Sequence, residues 1–206
     1  MPAASSVVTP ERYARGLTYR DFLAQALVNV DKFELYYNSS PLSDDDLLFF
    51  RKTAALPDGP AKILAIGEAW CGDVYRELPT VARIADATGM ELRVFLRDEN
   101  PDIMDEFLSN AGKARAIPVF VFYTSDMQYI THFVERPATA QGEIDAILAE
   151  VRSRYDLPST ATFTNLPDEG RREVIARILP RFPEWQKDSI REIRQLLSNA
   201  LNFPKE

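Results

Sequence analysis

The chain contains one cysteine, Cys71, within the run Ala69-Trp70-Cys71-Gly72-Asp73-Val74. A thiol attacks disulfides and electrophiles as its thiolate, so the neighbours that favour or oppose ionisation decide its chemistry. The apolar run KILAIG (62–67) precedes it, and Val74, Leu78, Val81 and Ala85 follow at helical spacing. Cys71 is therefore predicted at the turn from a strand into a helix. The unpaired N–H groups and the dipole of a first helical turn favour an anion there. Gly72 leaves room for a partner sulfur or backbone, and Trp70 offers an apolar wall. Asp73 works against the thiolate by like charge, and Glu68 adds to it. Arg76 compensates if its side chain turns back across the helix start. The sum predicts a modestly lowered thiol pKa. The plain alternative is a buried small hydrophobe without chemistry. Three positions on, where a second sulfur would complete a dithiol, stands Val74.

Ile117-Pro118 lies just before the apolar strand VFVFY. Proline is compatible with a strand at its first residue, and an X–Pro bond is the one place where a cis peptide is cheap, although trans is commoner. The run RDENPDIMDEF (97–107) carries five acidic residues and reads as a solvated helix start. Its functional reading is that Arg97 or Asn100 shapes a rim near Cys71. His132 sits in the alternating run YITHFV and is expected to face water. With one Cys and one His, no Cys/His zinc cage can be assembled. No G-x-G-x-x-G, Walker or G-x-S-x-G pattern occurs among the eight glycines.

The elements that must position these residues are legible in outline. Residues 1–16 read as an irregular leader. Phe22, Leu23, Ala26, Leu27, Val30 and Phe33 form one stripe of a helix starting near Tyr19, and Ser43 with Asp46 opens a second helix that a Pro-Asp-Gly-Pro breaker closes at 57–60. From Lys62 the order is β-α-β-α-β-β-α, the last helix at about 139–155. Two further helices follow, at about 168–179 and 184–201. This predicts an α/β fold: a mixed central sheet with helices on both faces, plus N- and C-terminal helical extensions. The expected division is 1–60, 61–156 and 157–206. Trp185 and Phe182, flanked by Pro180 and Pro183, are expected in the core. The net charge of −7 argues against nucleic acid and an anionic membrane. No apolar run approaches the ~20 residues of a bilayer span, and the N-terminus lacks a secretory pattern, so a cytoplasmic setting is expected.

The combination of Trp70-Cys71-Gly72 at a helix start, Pro79 eight residues after the cysteine and Ile117-Pro118 before the third strand resembles the thioredoxin family. The resemblance covers roughly 62–154. It is similar in particular to bacterial thioredoxin-like proteins in which W-C-G-D is followed by a non-cysteine, a pattern that Arg97-Asp98-Glu99-Asn100 and Met104-Asp105 also fit. The resemblance implies that Pro118 is the family's cis-proline, packed against the cysteine and presenting backbone to an extended substrate. It implies no cofactor beyond a low-molecular-weight thiol as co-substrate, and thiols or disulfides, on proteins or small molecules, as partners. The departures are Val74 for the resolving cysteine, Asp73 for the family's proline, and Ala65 for its buried acid. Three chemistries fit one sulfur: a monothiol exchange resolved by an external thiol, a redox-silent binding module, and a cysteine oxidised as a sensor. Substrate and oligomeric state are not fixed by the sequence.

Overall fold

The computed structural model describes residues 6–204. Its helices are α1 (Pro10–Tyr13), α2 (Tyr19–Gln25), α3 (Val30–Asn38), α4 (Asp44–Ala54), α5 (Gly72–Thr88), α6 (Pro101–Met104), α7 (Ala138–Arg154), α8 (Asp168–Ile178) and α9 (Phe182–Leu201). Strands β1 (Lys62–Gly67), β2 (Glu91–Leu96), β3 (Val119–Tyr123) and β4 (Tyr129–Val134) form one mixed sheet in the order β2-β1-β3-β4. The α5 crossover makes β1 and β2 parallel, and the short turn after Tyr123 makes β3 and β4 antiparallel.

Register assigns the faces. Ala65 pairs with Phe120 and Phe120 with Phe133, so these three share one side of the pleat. Gly67 lies on that side too. A Cβ there would sit 2.8 Å from a Val74 methyl, so the absent side chain is what lets α5 pack closely on the end of β1. The predicted stripe of α5, Val74, Leu78, Val81 and Ala85, is buried throughout. On the opposite side Val121 pairs with His132, whose ring meets Phe107 at 5.3 Å, so α6 and the 3-10 turn Asp105–Phe107 cover that face. The α/β reading with helices on both faces holds.

The capping box at the start of α4 forms as expected: Ser43 Oγ accepts from the Asp46 N–H, and Asp46 accepts from the Ser43 N–H. Helix α9 packs on α5, where Gln186 donates to the Arg76 carbonyl at 2.9 Å and to Thr80 Oγ1 at 3.1 Å. Trp185 and Phe182 are buried with Ala140, as expected of core aromatics.

Four expectations need correction. The stripe from Phe22 to Phe33 is not one helix: α2 ends at Gln25 and α3 begins at Val30. Asn29 between them is left-handed, at φ 61°, a conformation asparagine tolerates better than most residues. The leader is ordered where it is described. Tyr13 is buried, its hydroxyl 2.6 Å from the Glu91 carbonyl, and Leu17 bridges to Val94 at the edge of β2; residues 1–5 lie outside the described residues. The acidic run 97–107 is more than a solvated face. Ile103, Met104 and Phe107 are buried, Arg12 donates to Asn100 and Asp102, and Ser6 donates to Glu106. His132 is half-buried, with Nδ1 2.6 Å from the Tyr129 hydroxyl, and burial pushes its pKa down.

Candidate functional site

Cys71 is the N-cap of α5, in extended backbone conformation, and its carbonyl accepts the first helical bond from the Tyr75 N–H at 3.1 Å. The residue is half-buried. Its thiol donates to the Ile117 carbonyl at 3.7 Å, across the mouth from the end of β1. The Ile117–Pro118 peptide is cis, and Pro118 O accepts from the Glu135 N–H at 2.7 Å, so the end of β4 borders the same mouth.

The thiol's pKa departs from expectation in sign. Burial pushes it up from its ordinary value, and the Asp73 carboxylate adds to that. The N–H groups of Val74 and Asp73 pull the other way, as a first helical turn should, and Arg136 helps them. The local rule operates, but desolvation exceeds it.

The predicted modulators divide by location. Arg76 does turn back across the helix start, but it ends on Asp73 Oδ1 at 2.7 Å and on Glu77 at 2.6 Å, fully buried beneath the rings of Phe182 (4.8 Å) and Trp185 (5.4 Å). The cation that bears on the sulfur is Arg136, which also holds Asp73 Oδ2 at 2.5 Å and pairs with Glu135. Asp73 is thus clamped from both sides. Glu77 is buried, and desolvation raises its carboxyl while Arg76 opposes that. Glu68 is engaged elsewhere, accepting from the Asp98 N–H at 3.0 Å.

Trp70 stands on the other side of the mouth, 54% exposed, with the Arg97 guanidinium 5.0 Å over its ring. Val74, in the place of a resolving cysteine, is fully buried against Gly67. The site therefore gathers Trp70, Cys71, Gly72, Asp73, Ile117, Pro118 and Arg97, and leaves Glu68 and Arg76 directed elsewhere.

Two contributors went unseen in the sequence. The loop between α2 and α3 reaches the site through Asn29, whose amide donates to Ala69 O at 2.9 Å. That loop leaves Leu27 97% and Val28 48% exposed, and with Trp70 they border a groove of about 190 Å³. Arg136 was within reach of the hairpin reading, because Val119 opposite Val134 places Pro118 opposite Glu135.

A family model described as Thioredoxin matches residues 16–149. The chain belongs to the thioredoxin family. The match to this family begins upstream of β1, so it takes in helices α2 to α4. None of the curated proteins matches the chain. Among solved structures, a protein of unknown function from Pseudomonas aeruginosa superposes with a TM-score of 0.62 at 14% identity, covering 94% of this chain and 99% of that one. An HIV epitope scaffold superposes with a TM-score of 0.61 at 15% identity, covering 95% of this chain and 99% of its own. These likenesses concern the fold. Among the described residues no group of His, Cys, Asp and Glu is arranged to hold a metal, and no helix is long and apolar enough to cross a membrane.

Proposed function

We propose that the protein is a single-cysteine member of its family, of the W-C-G-D type, which exchanges thiols and disulfides through a mixed disulfide on Cys71. The Cys71 thiolate attacks a disulfide R–S–S–R′, forming Cys71–S–S–R and releasing R′S⁻. An external thiolate then attacks the R sulfur, so that Cys71 leaves as thiolate and a new disulfide departs. No electrons are gained or lost overall, and no second protein sulfur is needed. Val74 cannot take the second step, so a low-molecular-weight thiol or a protein thiol does.

The observation that carries this reading is a half-buried cysteine at the first turn of α5, its sulfur 3.7 Å from the carbonyl that precedes Pro118. Oxidised glutathione and mass measurement test it. One adduct per chain is expected at pH about 9, forming faster as the pH is raised further, since only the thiolate attacks. The adduct should be released by added thiol and be absent from Cys71→Ser. If Cys71 stays unmodified at that pH, the proposal fails.

The upward push on the thiol and the exposed apolar residues beside it favour a second reading, a redox-silent module that binds a protein segment at this mouth. Cys71→Ser decides between them: full in-cell activity in that variant would leave only binding. The same upward push weighs against a sulfenic-acid sensor, which depends on thiolate character.

A further inference from the structure

On the Trp70 side of Cys71 two grooves adjoin. The nearer, of about 190 Å³, is lined by the buried Phe22, by Ala69 and Trp70 from the run that leads into Cys71, and by Leu27 and Val28. The farther, of about 310 Å³, shares Leu17, Gln25 and Leu96 with it and continues to Arg15, Gly16 and Asn100. Shared walls join the two into one track that leads from the cysteine's own neighbours along β2. The walls are held by hydrogen bonds. Asn29 donates to Ala69 O at 2.9 Å, Lys32 donates to Asn29 Oδ1 at 2.8 Å, and Leu17 exchanges two backbone bonds with Val94 at 2.9 and 2.7 Å. Leu27 is thus displayed to water, 97% exposed, on a loop tied to the site. Apolar surface presented in this way is the kind a partner covers.

Charge narrows the choice of partner. Arg97 is paired with Asp98 at 2.8 Å and lies over the Trp70 ring, and Arg136 is paired with Asp73 and Glu135. Lys32 is spent on Asn29 and on the face of Tyr75. None of these cations is left to receive the carboxylates of a small anionic disulfide, and Glu68 in the nearer groove would repel them. In the farther groove Arg12 is held by Asn100 and Asp102, while Arg15 and Glu99 both contribute to the lining, so neither sign is favoured there. The nearer groove suits one large apolar side chain, and the farther one suits the neutral polar backbone that follows it.

We infer, resting on the exchange reading, that the substrate is a disulfide within an extended protein segment. A large apolar residue beside its half-cystine sits against Leu27, Val28 and Trp70, and the chain beyond follows the track past Leu96. The Cys71 thiolate attacks the segment's sulfur, forming Cys71–S–S–segment and releasing the other half of the disulfide as thiolate.

The probes are end-blocked pentapeptides whose central cysteine is activated as the pyridyl disulfide, reacted with the full chain at pH about 9. Thiopyridone release gives the rate, and mass measurement confirms the adduct. With leucine on both sides of its cysteine a peptide should react at least about fivefold faster than with serine there, and the double variant Leu27→Ser, Val28→Ser should bring that ratio within about twofold of unity. The glutamate counterpart should be the slowest of the three. Hydroxyethyl pyridyl disulfide, which has no chain to seat, should react alike with wild type and double variant. Equal rates for the leucine and serine peptides overturn the inference. So does a leucine preference that survives the double variant, or a glutamate peptide as fast as the leucine one. If Cys71 reacts with none of these disulfides, the exchange reading itself is lost. The docked segment is then decided by amide shifts at residues 25–28, 69 and 96 on adding the leucine peptide with serine for its cysteine: saturable shifts retain it, and their absence overturns it.

Discussion

The two flanks of Cys71 are built on opposite principles. On the Trp70 side, large apolar side chains stand in water: Leu27, Val28 and Trp70 gather around one groove, and the loop carrying the first two is tied to the site by Asn29. On the Asp73 side, charges are drawn inward: Arg76 and Glu77 are buried, the guanidinium beneath Phe182 and Trp185, and Asp73 links them to the half-buried Arg136 and Glu135. Apolar surface left in water costs folding free energy, and it is the kind of surface a partner covers. Buried charge is tolerable only where every member is paired, which fixes geometry. The comparison separates a flank that is free to meet a partner from one that holds the cysteine's neighbours in place.

The largest effect should come from breaking the ionic flank. Arg76→Ala leaves Glu77 and Asp73 short of a partner in the core, and a loss of about 3–5 kcal/mol is expected in urea unfolding. Replacing the pair together, as Arg76→Met with Glu77→Leu, should recover most of that, since neither charge is then stranded. A loss below about 1 kcal/mol for Arg76→Ala would place this flank with ordinary surface ion pairs and erase the contrast.

Next in size is Val74→Cys. Val74 is fully buried against Gly67, so trimming its side chain should cost about 1 kcal/mol. The new sulfur stands one helical turn from Cys71, and mild oxidation should consume both thiols within a single chain. On the exchange reading, a mixed disulfide on Cys71 would then be released without added thiol. A glutathione adduct as long-lived as the wild type's would show that the second position is out of reach.

Much of this was legible in the sequence because it rests on short-range rules. The α5 stripe, the Ser43–Asp46 box, the β3–β4 hairpin and the helix start at Cys71 each follow from periodicity or from the needs of a few adjacent backbone groups. The break between α2 and α3 was hidden because Ala26 and Leu27 keep helical spacing. What ends α2 there goes with a long-range contact from Asn29 to Ala69 O. The direction of the thiol's pKa was misread for a related reason: the first-turn rule is local, whereas burial is set by the whole fold. Arg76 was misdirected because Glu77, its immediate neighbour, is drawn into the core with it.

A third test sharpens the ionic flank at the sulfur itself. Asp73→Asn removes the charge that opposes the thiolate and frees Arg136, so the midpoint of Cys71 alkylation against pH should move down. Arg136→Met should move it up. Opposite signs are required, since one variant removes an anion and the other a cation. Shifts of the same sign would mean that both variants act by changing the sulfur's burial. On the apolar flank, Leu27→Ser should leave stability within about 0.5 kcal/mol, as expected for an exposed side chain. It should slow Cys71 exchange with an apolar peptide disulfide more than with oxidised glutathione.

The smallest effect is a matter of linkage. Because burial raises the folded thiol above its unfolded value, folding contributes stability that is fully present below about pH 8.5, the free-cysteine value. As pH rises past that point the unfolded chain ionises its thiol while the folded chain retains the proton, so the unfolded state gains. Wild type should therefore lose stability with rising pH relative to Cys71→Ser, which has no group titrating there. The decline should steepen in Arg136→Met, where the folded thiol is held higher still, and flatten in Asp73→Asn. A wild type that instead gains on Cys71→Ser across this range would show the thiolate to be favoured in the folded state, with the first turn of α5 prevailing over burial.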